Sequence, residues 1–184
     1  MIVFNYEVVL LSGHLDSWDV GQGAMDDGGG VAISWEALSL IRDLGLRPKR
    51  TLRTVLWSAE EPGGANISNF DLVMESDLGT FSPLGLQFTG SDKARAIMKE
   101  VMKLLAAINV TSLEEHGEGT DIDMWMKAGV PGASLHTADQ RYFWFHHSDG
   151  DTMSVQNPEE MNLCSAVWAV VAYVVADLEE MLPR

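Results

Sequence analysis

Five short clusters of acids, histidines and glycines punctuate this 184-residue chain, each standing where an apolar run gives out. They are Ser12-Gly13-His14-Leu15-Asp16, Ala24-Met25-Asp26-Asp27-Gly28, Ser58-Ala59-Glu60-Glu61, Met74-Glu75-Ser76-Asp77 and His146-His147-Ser148. Ligands bind at strand ends in open α/β sheets. Neutral imidazole nitrogens and carboxylate oxygens are donors that zinc accepts. A set of such donors with one of them shared suits two ions rather than one, and the chemistry it predicts is metal-assisted hydrolysis.

Each cluster has its own logic and its own competing explanation. Residues two apart on a strand face the same side. The Asp16 carboxylate can therefore accept a hydrogen bond from the far nitrogen of His14 and turn the other nitrogen toward a metal. An exposed polar pair after a strand would look the same. Asp26 or Asp27 could bridge two cations through its two oxygens, with glycines allowing close backbone approach; a solvated Asp-Asp-Gly turn is the alternative. Glu60 and Glu61 are adjacent, so on an extended backbone they point apart. One can bind metal while the other serves as general base, or both are solvated loop acids. Asp77 is a candidate ligand, and Glu75, two residues earlier on the same face, leaves that choice open. His146 and His147 follow the aromatic run Tyr142-Phe143-Trp144-Phe145, and Asp151 could orient His147. Taken singly, a histidine after aromatics is as well explained by a structural role.

These side chains need elements to position them. Residues 8–11 read as a buried strand and 16–30 as a Gly-rich loop. Val31, Trp35, Leu38 and Ile41 fall at helical spacing, with Gly45 as a stop. Residues 51–58 alternate as a strand, 72–74 form a short one and 86–88 a possible fourth. Ala94, Ile97, Met98, Val101 and Leu105 mark a helix, 121–128 a short one, and 132–135 a strand. Asn157 can cap a helix that has Pro158 in its first turn and Glu160 at the capping-box position, running to about residue 181. Its stretch from Val167 to Val171 is apolar nearly all round and must be sandwiched, by the sheet or by another subunit. Strands alternating with helices predict an α/β/α layered sheet in one domain spanning residues 1–184.

The totals narrow the function. Twelve basic against 27 acidic residues give a net charge of −15, which repels phosphate backbones and argues against nucleic-acid partners. The one cysteine, Cys164, lies in an apolar run and reads as a buried inert thiol, with no intrachain disulfide possible. No run approaches about 18 uninterrupted apolar residues, so no membrane span is expected. The first residues lack a basic n-region and a cleavage site, so no signal peptide is expected there. Asn66 and Asn109 lie in sequons that would accept glycans in a secreted protein. A serine hydrolase is excluded for want of a Gly-x-Ser-x-Gly elbow, and a Ca²⁺ module for want of an EF-hand loop.

In this order the clusters resemble those of the co-catalytic dizinc metallopeptidases, a family that includes bacterial zinc aminopeptidases. The resemblance runs from Ser12 to Pro183. It implies a three-layer α/β/α fold with a mixed, mostly parallel central sheet, and hydrolysis of peptide bonds with two zinc ions roughly 3.5–4 Å apart. At the matching positions His14 resembles a terminal ligand of one zinc. Asp26 resembles the bridging carboxylate, joined to Asp27 by a cis peptide. Glu61 resembles a zinc ligand, Asp77 the second zinc's terminal ligand, and His147, rather than His146, the first zinc's last ligand. Glu60 resembles the general base, with Asp16 supporting His14. Residues 117–121 and the Trp144 region are expected to line a substrate pocket, although a loop and an aromatic core strand explain them equally well. Small unblocked peptides as substrate, secretion, glycosylation and a homodimer follow from the same resemblance.

Two departures from the family pattern are expected to matter. The family has more of the fold ahead of the His14 strand, so an N-terminally truncated sheet with an apolar edge is expected. Only fifteen residues separate Glu61 from Asp77, where the family has a longer segment with a helix after the Glu-Glu pair. The contrasting expectation is a catalytically inactive truncated or splice form that acts by binding the full-length enzyme.

Overall fold

The computed structural model describes residues 7–18, 20–58, 69–138 and 141–184. Glu60, Glu61 and Asn66 lie outside the described residues. Six strands make one sheet: β1 (Val8–His14), β2 (Thr51–Trp57), β3 (Phe70–Glu75), β4 (Pro83–Thr89), β5 (Ser112–Glu115) and β6 (Gly132–Thr137), in the order β2-β1-β3-β6-β4-β5. Neighbours run parallel except β4 and β6, which are antiparallel. The sheet is thus mixed and mostly parallel, as expected.

Alternation along the central strands sorts side chains between two layers. Val9 and Leu11 of β1, with Leu72 and Met74 of β3, face α1 (Gly29–Asp43), α2 (Asp92–Lys103) and α5 (Pro158–Asp177). Val8 and Leu10, with Phe70 and Val73, face a thinner layer built by Ile122, Trp125 and Val130 around α3 (Asp123–Lys127). Strands buried on both faces are nearly continuous apolar runs, which is why residues 8–11 are legible as a strand. α5 is long and apolar enough, by length and composition, to cross a membrane. Here it is sandwiched by the protein itself: Cys164, Val167, Trp168, Val171, Ala172, Val175 and Ala176 are all buried, against α1 and the sheet.

Local chemistry sets the element ends. The Asn157 side chain accepts from the N–H groups of Glu159 and Glu160 at 2.9 and 3.4 Å, capping α5 ahead of Pro158. Ser91 caps α2 through the Ala94 N–H at 3.2 Å. Gly45, at φ 70°, takes the left-handed turn that follows α1. Two elements differ from the sequence expectation. β5 has one apolar residue in four and so no readable period. The aromatic run forms a single helical turn, α4 (Tyr142–Phe145), not a core strand: Tyr142 is buried while Phe143 and Trp144 are 70% and 72% exposed.

α5 also ends four residues before the expected position, at Asp177, because the tail is tied across the sheet. The Leu182 N–H donates to Asp71 at 2.6 Å and Ser91 donates to the Pro183 carbonyl at 2.7 Å. Arg50 is buried at the same place. It pairs with Glu7 at 2.6 Å and Asp71 at 3.2 Å, and donates to the Val175 and Leu178 carbonyls at the end of α5. Burial pushes the Asp71 carboxyl up to about 6 even beside this guanidinium. Arg50→Met, which strands that buried acid, is expected to cost about 3–5 kcal/mol. Urea unfolding measures it; a loss below about 1 kcal/mol would show that Asp71 is satisfied without Arg50.

Candidate metal centre

Parallel strands β1 and β3 end at the same rim of the sheet, and their ends carry the first donors. His14 is the last residue of β1, and Asp77 stands two residues beyond β3. β2 pairs with β1 so that Trp57, its last residue, lies level with His14; Glu60 and Glu61 follow three and four residues later in the sequence. Between β1 and α1, residues Ala24–Gly28 form an irregular turn that buries Asp26 and Asp27, joined by a cis peptide bond as expected.

Asp26 stands at the centre. Its Oδ1 lies 3.3 Å from His14 Nε2, and its Oδ2 lies 3.3 Å from His147 Nε2 and 3.6 Å from His146 Nε2. Asp77 Oδ1 is also 3.3 Å from His14 Nε2. The donors fall into two groups, each drawn together within 4.8 Å: His14, Asp26 and Asp77 on one side, and Asp26, His146 and His147 on the other. His14 therefore shares a side with Asp77, and Asp26 is common to both. Donors sharing a tetrahedral ion at zinc–ligand lengths of about 2.0–2.1 Å stand about 3.4 Å apart, which is the spacing seen. The residues present fit zinc in donor type and distance.

Both neighbouring histidines reach Asp26. Their rings stack with centroids 3.5 Å apart, and His147, held at φ 57°, also packs on Trp18. His147 is the nearer of the two to Asp26. His147→Ala is expected to lower bound zinc and His146→Ala to leave it nearly unchanged; equal losses from both, read by metal analysis, would undo that choice.

Three carboxylates crowd His14: burial and mutual repulsion raise the proton affinities of two of them, while His14 lowers that of the third. His14 is raised to about 12, first by its hydrogen bond to Asp26 and then by that to Asp77. Burial presses Asp26 toward its neutral form, but the hydrogen bond and charge of His14 hold it below its usual range. Asp77 is raised, by burial foremost and by the charge of Asp26. Asp27, completely enclosed, is pushed well up by burial and by Asp77. Acids crowded this way around one imidazolium suit divalent metal, whose binding would displace the His14 proton.

Three supporting groups do something other than the spacing suggested. His14 Nδ1 meets the backbone carbonyl of Asp16 at 3.0 Å, with the Asp16 carboxylate at 3.7 Å and half exposed. The strand ends at His14, so the two-residue alternation no longer governs Asp16. Glu75 turns away from the donors and accepts from the N–H groups of Asp121 and Ile122, which leaves Asp77 as the site acid of that pair. Asp151 does not orient His147; it accepts from the N–H groups of Met25 and Asp26 at 2.6 and 3.2 Å and so holds the backbone at Asp26.

Asp27, which the sequence offers as an alternative to Asp26 for metal, is a supporting residue in the structure. It accepts from the His14 N–H at 3.2 Å and the Gly30 N–H at 3.0 Å, tying the end of β1 to the start of α1. An acid just before a helix start is a capping signal, but the glycines around it read as a turn. A Cβ at Gly30 would overlap Asp27 Oδ1 and the Ser76 carbonyl, so this close approach requires glycine. Among the described residues, two sizeable cavities adjoin the centre. One of about 600 Å³ holds the donors together with Ser17, Trp18 and Thr120. The other, about 390 Å³, is lined by Asp77, residues 117–120 and Ser134. Of the expected pocket wall at residues 117–121, residues 117–120 line a cavity, whereas Asp121 and Trp144 line neither.

A carboxylate shared between two groups of metal donors, at the strand ends of a mixed α/β/α sheet, defines the class as a metal-binding α/β/α fold. The sequence profile of peptidase family M28 matches residues 5–172, and the chain belongs to that family. It is 70% identical to Carboxypeptidase Q of Xenopus laevis and 69% identical to Carboxypeptidase Q of Homo sapiens, each over 97% of the chain. The chain spans 40% of the length of each of these relatives. Both matches run over 189 positions against 184 residues here, so the relatives carry residues within the matched span that this chain lacks. The crystal structure of a peptidase M28 precursor from Shewanella amazonensis superposes with a TM-score of 0.88 at 35% identity, over 97% of this chain and 43% of that one. A zinc aminopeptidase from Bacillus subtilis shares the fold, with a TM-score of 0.70 at 17% identity, over 100% of this chain and 52% of that one.

Proposed function

We propose that this chain is the metal-binding part of a dizinc exopeptidase that hydrolyses small unblocked peptides. The observation that carries the reading is Asp26, whose two oxygens each stand 3.3 Å from a different histidine. His14 and Asp77 would hold one ion, Glu61 and His147 the other, and Asp26 both. Zinc bound there would supply a Lewis acid and a water of lowered pKa. Glu60 takes a proton from the attacking water and returns it to the leaving amine. Asp27 and Asp151 fix the backbone on either side of the bridge, and the Asp16 carbonyl sets the His14 tautomer. Secretion, a homodimer and glycosylation belong to the same reading; Asn109 is exposed at the end of a short turn, where a glycan can be accommodated.

The test is zinc content of the purified chain, with dipeptide hydrolysis and proton release on the same sample. Two zincs per chain with chelator-sensitive turnover are expected. Because the hydrogen bonds to Asp26 and Asp77 raise His14 to about 12, zinc uptake at neutral pH is expected to release a proton, and zinc affinity to fall as pH is lowered. In the metal-free chain the same raised pKa contributes stability that is full below about pH 6.5 and is lost as pH rises toward 12. Substoichiometric zinc without turnover would sink the reading.

One observation favours a second reading, an inactive form that binds the full-length enzyme. β2 is an edge strand among the described residues, and beside it Trp35, 64% exposed, shares an open groove of about 600 Å³ with Leu38, Leu46 and Leu52. Large apolar surface of this kind marks contact sites.

A further inference from the structure

The two strands that deliver His14 and Asp77 also carry, two residues earlier, a buried polar side chain directed to one and the same loop. On β1 it is Ser12, whose hydroxyl donates to Asp121 Oδ2 at 3.2 Å while accepting from Trp57 Nε1 at 2.8 Å. On β3 it is Glu75, whose two oxygens accept from the N–H groups of Asp121 at 3.4 Å and Ile122 at 3.0 Å. Ser12, Glu75 and Asp121 are all fully buried. The loop's other end is fastened as well: the Glu118 N–H donates to Ser134 Oγ at 3.0 Å and Thr89 donates to the Gly117 carbonyl at 3.4 Å.

Burying acids is expensive unless they are hydrogen-bonded, so two fully buried acids beside the metal donors need a structural reason. What these acids hold is the backbone at Asp121 and Ile122, where the loop of residues 117–120 ends. Residues 117–120 wall the cavity of about 390 Å³, and that cavity shares Asp77 and Thr120 with the cavity of the metal centre. Its volume is at the low end of the roughly 300–1,000 Å³ of small-ligand pockets, room for a short peptide segment. The loop lies tightly on Glu75: a Cβ at Gly119, where φ is 142°, would overlap Glu75 Oε2.

We propose that Glu75 and Asp121 are positioning residues that hold residues 117–120 as the fixed wall of a peptide subsite, set at constant distance from the metal donors by the strands that carry both. The proposal rests on the peptidase reading for its ligand but not on turnover. Lost pre-organisation then appears in substrate affinity and not in metal content.

The probe is a dipeptide whose amide is replaced by a methylene-amine linkage, titrated calorimetrically into zinc-loaded and metal-free protein. Three variants are compared for analogue binding, zinc content and hydrogen exchange at the Asp121 and Ile122 amides. Glu75→Leu, which removes both acceptors, is expected to weaken binding roughly tenfold and to speed exchange at both amides. Glu75→Gln, which keeps an acceptor, is expected to retain most of the affinity. Gly119→Ala leaves the sequence of β3 intact and displaces the loop by crowding its contact with Glu75, and is expected to act like Glu75→Leu; it decides the matter should Glu75→Leu fail to fold. All three keep the zinc content of the parent chain.

Unchanged binding in Glu75→Leu and Gly119→Ala overturns the proposal. So does loss of zinc together with binding, which would make Glu75 a support for Asp77. A parent chain that loads zinc but does not bind the analogue also overturns it. A chain that binds the analogue with this variant pattern but never hydrolyses a dipeptide upholds the proposal and removes the peptidase reading.

Discussion

Asp26→Ala is expected to lower zinc affinity more than about 100-fold at both positions at once, because each donor group contains the Asp26 carboxylate. A terminal donor such as Asp77 belongs to one group only, so its loss should release one ion and spare the other. The effect has a second component. The hydrogen bond to Asp26 is the foremost reason that His14 keeps its proton, so the variant's His14 should titrate much nearer its ordinary range. Metal analysis after dialysis reads the first effect, and an NMR titration of the metal-free histidine the second. Retention of one tightly bound zinc by Asp26→Ala would show that Asp26 is a terminal ligand, and the dinuclear arrangement would be lost with it.

Glu60→Gln is expected to lower turnover by about 10²–10⁴-fold while zinc stays at the parent level. The expectation follows from adjacency. β2 ends level with His14, Glu60 and Glu61 come soon after it in the sequence, and neighbouring side chains on extended backbone diverge. One can then face the metal while the other faces the water. Glu61→Gln should give the opposite pattern, with zinc lost first. If Glu60→Gln loses zinc as well, Glu60 is a ligand and a different group must take the proton.

Much of the fold is legible in the sequence because it rests on local chemistry. The run of residues 8–11 reads as a strand because both faces of β1 are buried. The Asn157-Pro158 start reads as a helix because an Asn oxygen caps free N–H groups in any sequence context. β5 and α4 are not legible. β5 pairs with β4 through its backbone and has little apolar pattern to show. The aromatics of α4 look like core, yet two of the four project into solvent.

The site divides in the same way. Which residues can donate to metal is a property of side-chain type, so His14, Asp26, Asp77 and His147 can be named from the sequence. Their order along the chain is a sequence property too, and that order marks the family. Only packing decides that His14 and Asp77 share one side of Asp26, that Glu75 faces the 117–122 loop, and that Asp27 and Asp151 brace the backbone around Asp26. The cause is the range over which each is set. A donor atom belongs to its residue, whereas partners 13, 63 or 125 positions apart are chosen by how strands and turns pack.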